Sequence, residues 1–378
     1  MTERPTRRRV LRAGVIAGTA GLAGCLDQFG GEETPAGDVS LGDFRGSGPF
    51  VDSRPELEGT RIGDLPALEG ELTVYVGGGE GGLYDDLLGL LEQIYPDFTA
   101  QTRQEPSAQL ANTIIEETEG GSSPADVFWA VDAGALGAVA AADATMQLPE
   151  EITGSVPSHF HPDRRWVGVA GRARAVPYNT DELSADDVPD TVMDFPGTDP
   201  LAGSMGWAPT YGAFQSFVTA MRLVEGEDAT RQWLSDMQEG TREFPDEFLV
   251  SNAVADGSIA AGFANHYYAL RVKAQRSDAP IDLAFTSGDA GALVNASGVG
   301  IVSDTDEQDL AETFVHHLLT VEAQEFFATR TFAYPMLPGV PPVGDLPTID
   351  ELNPPDVSLQ DLSDVEPTLE LMREVGVL

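Results

Sequence analysis

The chain has 378 residues, of which 62 are Asp or Glu and 21 are Lys or Arg, so its formal net charge is −41. Such acidity excludes nucleic acid as a partner, because binding to nucleic acid needs a basic face. The hydrophobic content of 42% is ordinary, so the acidity does not indicate disorder. It is typical of a surface that carboxylates keep hydrated at high salt, where charges are screened.

The first 24 residues are typical of an export signal. Arginines at positions 7, 8, 9 and 12 surround the start of a short apolar stretch that ends at Ala23. The stretch is shorter than the roughly 20 apolar residues of a membrane span, and paired arginines favour the twin-arginine export route. The motif "LAGC" resembles a lipoprotein lipobox and ends on Cys25, the only cysteine. We therefore expect residues 1–24 to be a Tat-type lipoprotein signal peptide, and lipid on Cys25 to anchor the exported protein to the outer face of the cytoplasmic membrane.

The next segment, residues 25–68, is rich in Gly, Pro, Asp and Glu. This composition predicts a flexible acidic tether, because it cannot bury enough apolar surface to order itself. The alternative, for the part from Val51 to Leu68, is an irregular cap packed on the domain. The 310 residues from 69 to 378 are more than one core comfortably holds, so we expect two lobes.

Strands and helices alternate along this body. In "ELTVYVGGG", apolar residues alternate from Leu72 to Val76, which predicts a strand that ends in a glycine-rich turn. Apolar residues then recur at helical spacing from Leu83 to Ile94, and "ADVFWAV" and "VGIV" are typical of buried strands. The alternation predicts an α/β fold with mostly parallel sheets and helices on both faces.

Several segments together carry a family resemblance. In chain order they are "ELTVYVGGG", "PADVFWA", "GRARAVPYN", "GWAPTYGAF", "AVADGSIAAGFANHYY", "DAGALVNASGVGIV" and "FVHHLLTVEAQEFFATRTFAYP". With the export signal, they resemble the substrate-binding component of an ABC importer, and are most similar to the ferric-ion-binding proteins. The resemblance covers roughly residues 70–340, in the right order.

The resemblance implies a two-lobed periplasmic-binding-protein-like fold of type II, which closes on a ligand in the cleft between hinged lobes. The hinge strands would lie near Ala170–Tyr178 and Asp282–Leu293. Lobe 1 would comprise residues 69–172 and 290–335, and lobe 2 residues 173–289 and 336–378. The implied partners are an ABC permease and its ATPase, and the binding protein itself would be a monomer and not an enzyme.

Two adjacent tyrosines, Tyr267 and Tyr268, are the candidate metal ligands. Asn265 is a good N-cap residue, so both would lie in the first helical turn and could reach one cleft, whereas in a strand they would point to opposite faces. Phenolate oxygen suits ferric iron, which lowers the pKa of a coordinating phenol from its usual value near 10. His266 points in a different direction and is not taken as a ligand. The alternative is that one tyrosine packs in the core and the other lies at the surface.

The family's remaining ligands differ in this chain. Gly79 and Val131 stand where the family usually has a histidine and a glutamate. Asp132 and Glu80 could supply oxygen there, or could be solvated acids of an acidic protein. Tyr211 is a candidate third phenolate, and its alternative is a residue at the rim.

The family often holds a carbonate or phosphate beside the metal. The matching positions are Gly212 and Ala213, whose amides open a helix, and Asn265. Arg172 and Arg174 could neutralise the anion, because the guanidinium fork matches oxyanions. Their alternative is a salt bridge at the surface or the hinge.

Other readings of the same residues stay open. The same fold could hold a small organic cation, thiamine-like or polyamine-like, in a cage of Trp129, Trp207, Tyr211 and the tyrosine pair. His159 and His161 lie two apart, but without further ligands a loop is favoured over a metal site. An exported enzyme would need a nucleophile and a base, and no such motif is found in the sequence.

Overall fold

The computed structural model describes residues 40–378 except Ser53 and the segment 79–81. The predicted signal peptide, the predicted lipidation site Cys25 and the candidate ligand Glu80 lie outside the described residues, as does Gly79. The described strands are β1 (Gly70–Gly77), β2 (Phe98–Glu105), β3 (Val127–Ala130), β4 (Val167–Asn179), β5 (Met205–Trp207), β6 (Thr241–Glu243), β7 (Ala261–Gly262), β8 (Ala264–Asn265), β9 (Ile281–Ala284), β10 (Val294–Ile301) and β11 (Tyr334–Pro335).

Helices cover these strands on both faces. They are α1 (Leu41–Phe44), α2 (Leu83–Ile94), α3 (Ser107–Glu119), α4 (Ala133–Ala141), α5 (Glu150–Thr153), α6 (Gly212–Val224), α7 (Glu227–Gln238), α8 (Glu247–Ala255), α9 (His266–Gln275), α10 (Gln308–Leu318), α11 (Val321–Phe326), α12 (Ile349–Leu352) and α13 (Glu366–Val375). A π-helix, Phe327–Thr331, continues α11. None of the described helices is both long and apolar enough to span a membrane.

The strands form two groups, one in each lobe. In lobe 1, β1 is parallel to β2 and β3, and β10 is antiparallel to β3. In lobe 2, β5 is parallel to β6 and β7. The four residues of β3 are all buried, as expected for a strand with helices on both faces. The sheet is mixed rather than mostly parallel, because the strands that join the lobes are antiparallel to their neighbours.

Strand β4 passes from one lobe to the other. Its first part, Val167–Ala173, pairs with β10 of lobe 1, and its last part, Val176–Asn179, pairs with β9 of lobe 2. The chain returns to lobe 1 between β9 and β10. The two passages lie where the sequence places the hinge strands, while the lobe boundaries themselves stay a prediction.

Residues 40–68 correct one expectation, because they pack on the body instead of forming a flexible tether. Phe44 is fully buried, and Ile62 is also in the core. Arg45 and Arg54 both bind the buried carboxylate of Glu325, with N–O distances of 2.8 and 2.6 Å. Apolar anchors and arginines matched to a buried acid therefore order a segment whose overall composition is that of a linker. The cap considered for Val51–Leu68 extends to residue 40.

The carboxyl-terminal segment touches both lobes. A 3-10 helix, Leu359–Ser363, packs against α4 of lobe 1 so closely that a Cβ at Gly134 would stand 3.1 Å from Ser363. The following α13 is held to α6 of lobe 2 by a 2.9 Å hydrogen bond between the hydroxyls of Thr368 and Thr219. The segment therefore has contacts on both sides of the cleft, and the assignment of residues 336–378 to lobe 2 stays a prediction.

Candidate ligand-binding cleft

A cleft of about 970 Å³ lies where the two lobes meet. Its wall includes several of the residues predicted from the sequence: Asp132, Arg172, Arg174, Tyr211, Gly212, Ala213 and Asn265. The amino-terminal turns of α3, α4 and α6 also line it, through Ser107, Gly134 and Gly212 among others. Helix amino termini carry unpaired N–H groups and a partial positive charge, so this wall suits an anion.

The tyrosine pair lies in the first turn of α9, as the sequence predicts, but neither side chain is in the wall of this cleft, and Tyr267 lines the small cavity beside it. The helix begins at His266, and Asn265 is its N-cap residue with extended φ/ψ of −68° and 139°. The rings of Tyr267 and Tyr268 are 4.3 Å apart between centroids. Their exposed fractions are only 3% and 8%, so the alternative with one tyrosine at the surface is wrong.

Tyr211 joins this pair from a different helix. It is the N-cap residue of α6, and its hydroxyl lies 2.5 Å from the hydroxyl of Tyr268. Burial first, and then the neighbouring Tyr267 and Tyr211, raise the pKa of the Tyr268 phenol far above its usual range. The phenol is therefore protonated at neutral pH, and only a strongly charged cation can convert it to a phenolate. We call Tyr211, Tyr267 and Tyr268 the tyrosine cluster.

Arg271 adds a positive charge to the cluster. Its guanidinium carbon lies 4.8 Å from the ring centroid of Tyr267 and 5.6 Å from that of Tyr268. Arg271 is not among the residues predicted from the sequence, although its spacing of three and four residues from the tyrosines places it on the same helix face. A cation at this distance favours negative charge on the phenol oxygens.

His266 turns away from the cleft, in agreement with its exclusion as a ligand. Its ring is fully buried, with Nε2 at 2.8 Å from the carbonyl oxygen of Phe332 and Nδ1 at 3.2 Å from the amide nitrogen of Ala173. Burial lowers the pKa of His266 to about 4, so the ring is neutral at pH 7. Its partners lie 66 and 93 residues away in sequence, so no local pattern could have indicated them.

Arg174 and Asn265 are bound to a common acid. The Arg174 guanidinium, only 3% exposed, donates from Nη1 to the buried Glu247 carboxylate. The other carboxylate oxygen of Glu247 accepts the backbone N–H of Asn265 at 2.9 Å. Glu247 therefore balances the charge of Arg174, as the salt-bridge alternative expected. The Nη2 nitrogen of Arg174 is buried without a hydrogen-bond partner among the described residues.

Arg172 lies closer to the tyrosine cluster. It lines the cleft and also a small cavity beside it, together with Tyr267, Tyr84 and Thr331. The first amides of α6, at Gly212 and Ala213, are on the same cleft wall. This arrangement brings a guanidinium and a helix amino terminus to one cleft beside Tyr211, which suits an oxyanion there.

Lobe 1 offers fewer ligands to the cleft. Asp132 caps α4, where its Oδ1 accepts the N–H of Ala135 at 2.8 Å, so one of its oxygens is already used. Glu105, also in the cleft wall, pairs with Arg103. Within residues 40–378, leaving out the gaps, no three His, Cys, Asp or Glu side chains come together as a metal site. Asp132 therefore stays a predicted metal ligand, and its side chain also caps α4.

The hypothesis of an aromatic cage is not supported by the positions of its two tryptophans. Trp129 and Trp207 are completely buried, and neither lines the cleft. Trp129 stacks on Tyr84 at 4.3 Å, and Trp207 packs against Phe214 at 5.5 Å. Both are core residues, because large flat side chains fill the space between sheet and helices.

The histidine pair of the sequence analysis also lies outside the cleft wall. His161 Nε2 contacts the carbonyl oxygen of Val156 at 3.0 Å. The ring of the neighbouring His159 packs on Phe160 at 3.9 Å. These contacts agree with the favoured reading of a packed loop.

Comparison with known proteins identifies the family. A family model described as bacterial extracellular solute-binding protein matches residues 91–353. The major ferric iron-binding protein of Neisseria meningitidis serogroup B is 32% identical over 275 residues, 71% of this chain and 82% of the relative. Iron uptake protein A2 of Synechocystis is 29% identical over 285 residues, 70% of this chain and 81% of the relative.

A solved structure agrees with these relatives. Iron-bound HitA from Pseudomonas aeruginosa matches with a TM-score of 0.72 at 26% identity, covering 81% of this chain and 99% of that protein. The match confirms the predicted two-lobed α/β fold of type II, and the relatives are transport proteins rather than enzymes. From the family model and the 32% identical relative, this chain belongs to the bacterial extracellular solute-binding protein family.

Proposed function

We propose that this protein captures ferric iron in the interlobe cleft and delivers it to an ABC permease driven by its ATPase. The observation that carries the proposal is the convergence of three phenols: Tyr267 and Tyr268 from α9, and Tyr211 at 2.5 Å from Tyr268. Three hard oxygen donors in one buried place suit a hard trivalent cation. Relatives named for ferric iron binding support the same solute.

The charges of the site favour an anion beside the iron. Arg172 and the amino terminus of α6 both line the cleft wall beside Tyr211, and each carries positive charge that attracts an oxyanion. A carbonate or phosphate would bind the amides of Gly212 and Ala213 and the guanidinium of Arg172. Arg174 and Asn265, held by Glu247, form the wall behind this anion. Its oxygens would complete the metal coordination.

Two carboxylates complete the proposed site from lobe 1. Asp132 has one oxygen beyond its helix-cap bond and lines the cleft. Glu80 is the second residue after the cleft-lining Gly78 in sequence. Either would bind the metal as the lobes close, because a ligand that bridges both lobes drives hinge closure.

The setting of the protein follows from its amino-terminal sequence. We propose export by the twin-arginine route, lipid on Cys25, and function as a monomer on the outer face of the cytoplasmic membrane. The net charge of −41 fits a surface that works at high salt.

A ferric titration of the purified mature protein at high salt tests the iron site. We expect a visible phenolate-to-iron charge-transfer band that saturates at one equivalent and is lost in both Tyr267→Phe and Tyr268→Phe. Tyr178→Phe is the matched control, because Tyr178 is a buried tyrosine of β4 outside the cluster. A wild-type protein that shows no band on iron addition would rule out the proposal.

A further inference from the structure

Three separate parts of the molecule meet at His266. It is the first residue of α9, the helix that carries Tyr267 and Tyr268. One ring nitrogen contacts Ala173 on the hinge strand β4, and the other contacts Phe332, just after the π-helix of lobe 1. The side chain therefore connects the tyrosine helix of lobe 2 to the hinge and to lobe 1.

Both ring nitrogens have a defined task. The short 2.8 Å contact from Nε2 to the Phe332 carbonyl oxygen needs a proton on Nε2. The neutral ring then has an unprotonated Nδ1, which accepts the N–H of Ala173 at 3.2 Å and cannot donate to the Ala173 carbonyl oxygen 3.3 Å away. This is the tautomer that the two partners select. A fully buried side chain that both donates and accepts in this way holds its three neighbours in one arrangement.

Phe332 itself is a constrained partner. It has left-handed φ/ψ of 60° and 23°, a conformation that a bulky side chain seldom adopts. Its ring packs on the tyrosine cluster, and on its other side it meets Phe50 of the amino-terminal segment at 5.7 Å. The hydrogen bond from His266 and the packing of the Phe332 ring therefore stabilise a strained backbone conformation at Phe332, beside the candidate site.

We propose that His266 is a positioning residue that fixes the tyrosine-bearing turn of α9 relative to the hinge strand, so that ligand binding by the tyrosines is transmitted to the angle between the lobes. The mechanical part of this proposal depends only on the contacts of His266. The part that concerns iron rests on the proposed function.

The experiment uses His266→Ala and His266→Gln in the mature protein. Gln can both donate and accept, so it should restore part of what Ala loses. His317→Ala is the matched control: His317 is also fully buried with both ring nitrogens bonded, to Tyr95 and Thr313, but lies in the lobe 1 core. Hydrogen exchange is measured on the iron-free proteins, and transfer of bound iron to excess chelator is measured on the loaded ones.

We expect His266→Ala to speed hydrogen exchange both at the hinge strand around Ala173 and at residues 331–333 of lobe 1. His317→Ala should change the exchange rate at neither place. Iron release should be about tenfold faster in His266→Ala and nearer to wild type in His266→Gln, because a buried hydrogen bond is worth about a factor of ten. His317→Ala, compared at equal folded fraction, should release iron at the wild-type rate.

Two results would overturn the proposal. Unchanged exchange at both places in His266→Ala would show that His266 couples nothing. Equal acceleration of iron release by His266→Ala and His317→Ala would show a loss of stability rather than of positioning. If the wild-type protein binds no iron, the proposed function fails, and the exchange experiment still decides whether His266 couples the hinge to α9.

Discussion

Tyr211 and Tyr268 share a 2.5 Å contact between their hydroxyl oxygens although 57 residues separate them in sequence. Both belong to lobe 2, one at the start of α6 and the other in the first turn of α9. If the predicted lobe boundaries hold, the proposed iron site has its three phenols on one lobe. Under the proposed function, iron would bind these phenols first, and lobe closure would then bring the lobe 1 ligands to it.

Removal of the Tyr211 hydroxyl should weaken iron binding without abolishing it. In Tyr211→Phe, the adjacent pair Tyr267 and Tyr268 on α9 stays intact and the packing is kept, whereas a change at either member breaks that pair. We expect an affinity loss of about 100-fold or more, because changes even outside the direct ligands cost 10–100-fold. The charge-transfer band should persist with a shifted maximum. An unchanged spectrum and affinity would mean that Tyr211 is only a rim residue.

Iron uptake should release protons and depend steeply on pH. Burial keeps the Tyr268 phenol protonated far above neutral pH, and a phenol must lose its proton to bind iron. Apparent affinity should therefore rise with pH and fall as pH decreases, with about three protons released per iron in the wild type and about two in Tyr211→Phe. Proton release is measured with an indicator dye in weakly buffered solution; release below one proton per iron would contradict phenolate binding.

The Arg174–Glu247 pair should be essential for stability. Both side chains are almost fully buried, so Glu247→Leu would leave a buried, uncompensated guanidinium. We expect a loss of about 3–5 kcal/mol in the free energy of unfolding, measured by urea denaturation at constant salt. The double variant Arg174→Met, Glu247→Leu should recover much of this loss, because it removes both charges. Equal stability of the single and double variants would contradict this reasoning.

Stability should fall in acid partly through His317. Burial lowers its pKa in the folded protein to about 4, below its unfolded value near 6.5. The unfolded chain therefore binds the proton first, and stability is lost as pH falls through this window. Between pH 7 and 5, the loss from this residue is about 2 kcal/mol.

The measurement for this pH dependence is urea denaturation at both pH values. His317→Gln should flatten the difference between them. His316→Gln, the half-buried neighbour on the same helix, should flatten it less. If both variants keep the full wild-type pH dependence, the destabilising groups lie elsewhere.

The local part of the site was predictable from sequence, and the long-range part was not. The place of Tyr267 and Tyr268 in the first turn follows from Asn265 as the N-cap residue, a local property, although the Asn265 side chain makes no capping hydrogen bond. The contact of Tyr211 with Tyr268, the pairing of Arg174 with Glu247, and the bonds of His266 all join distant segments. Spacing within one segment contains no information about such contacts.

Two predictions from residue type alone were wrong. Residues 40–68 have the composition of a linker, yet a few anchors such as Phe44 and Arg54 order them, because docking depends on specific partners rather than on average polarity. Trp129 is an aromatic residue near the cleft-lining loops in sequence, but it is in the core. An apolar strand with helices on both faces has no exposed side on which to present a ligand.

The carboxyl-terminal crossing limits how far the protein can open. The 3-10 helix Leu359–Ser363 fits on α4 so tightly that a Cβ at Gly137 would stand 2.7 Å from the Gln360 side chain. Only Asp364 and Val365 separate it from α13, which is fixed to the other lobe. The three Cα–Cα steps from Ser363 to Glu366 span at most about 11 Å. This short connection limits how far the two lobes can separate at this edge of the cleft. A solute larger than the resulting opening must enter from another side, or the 3-10 helix must detach from α4.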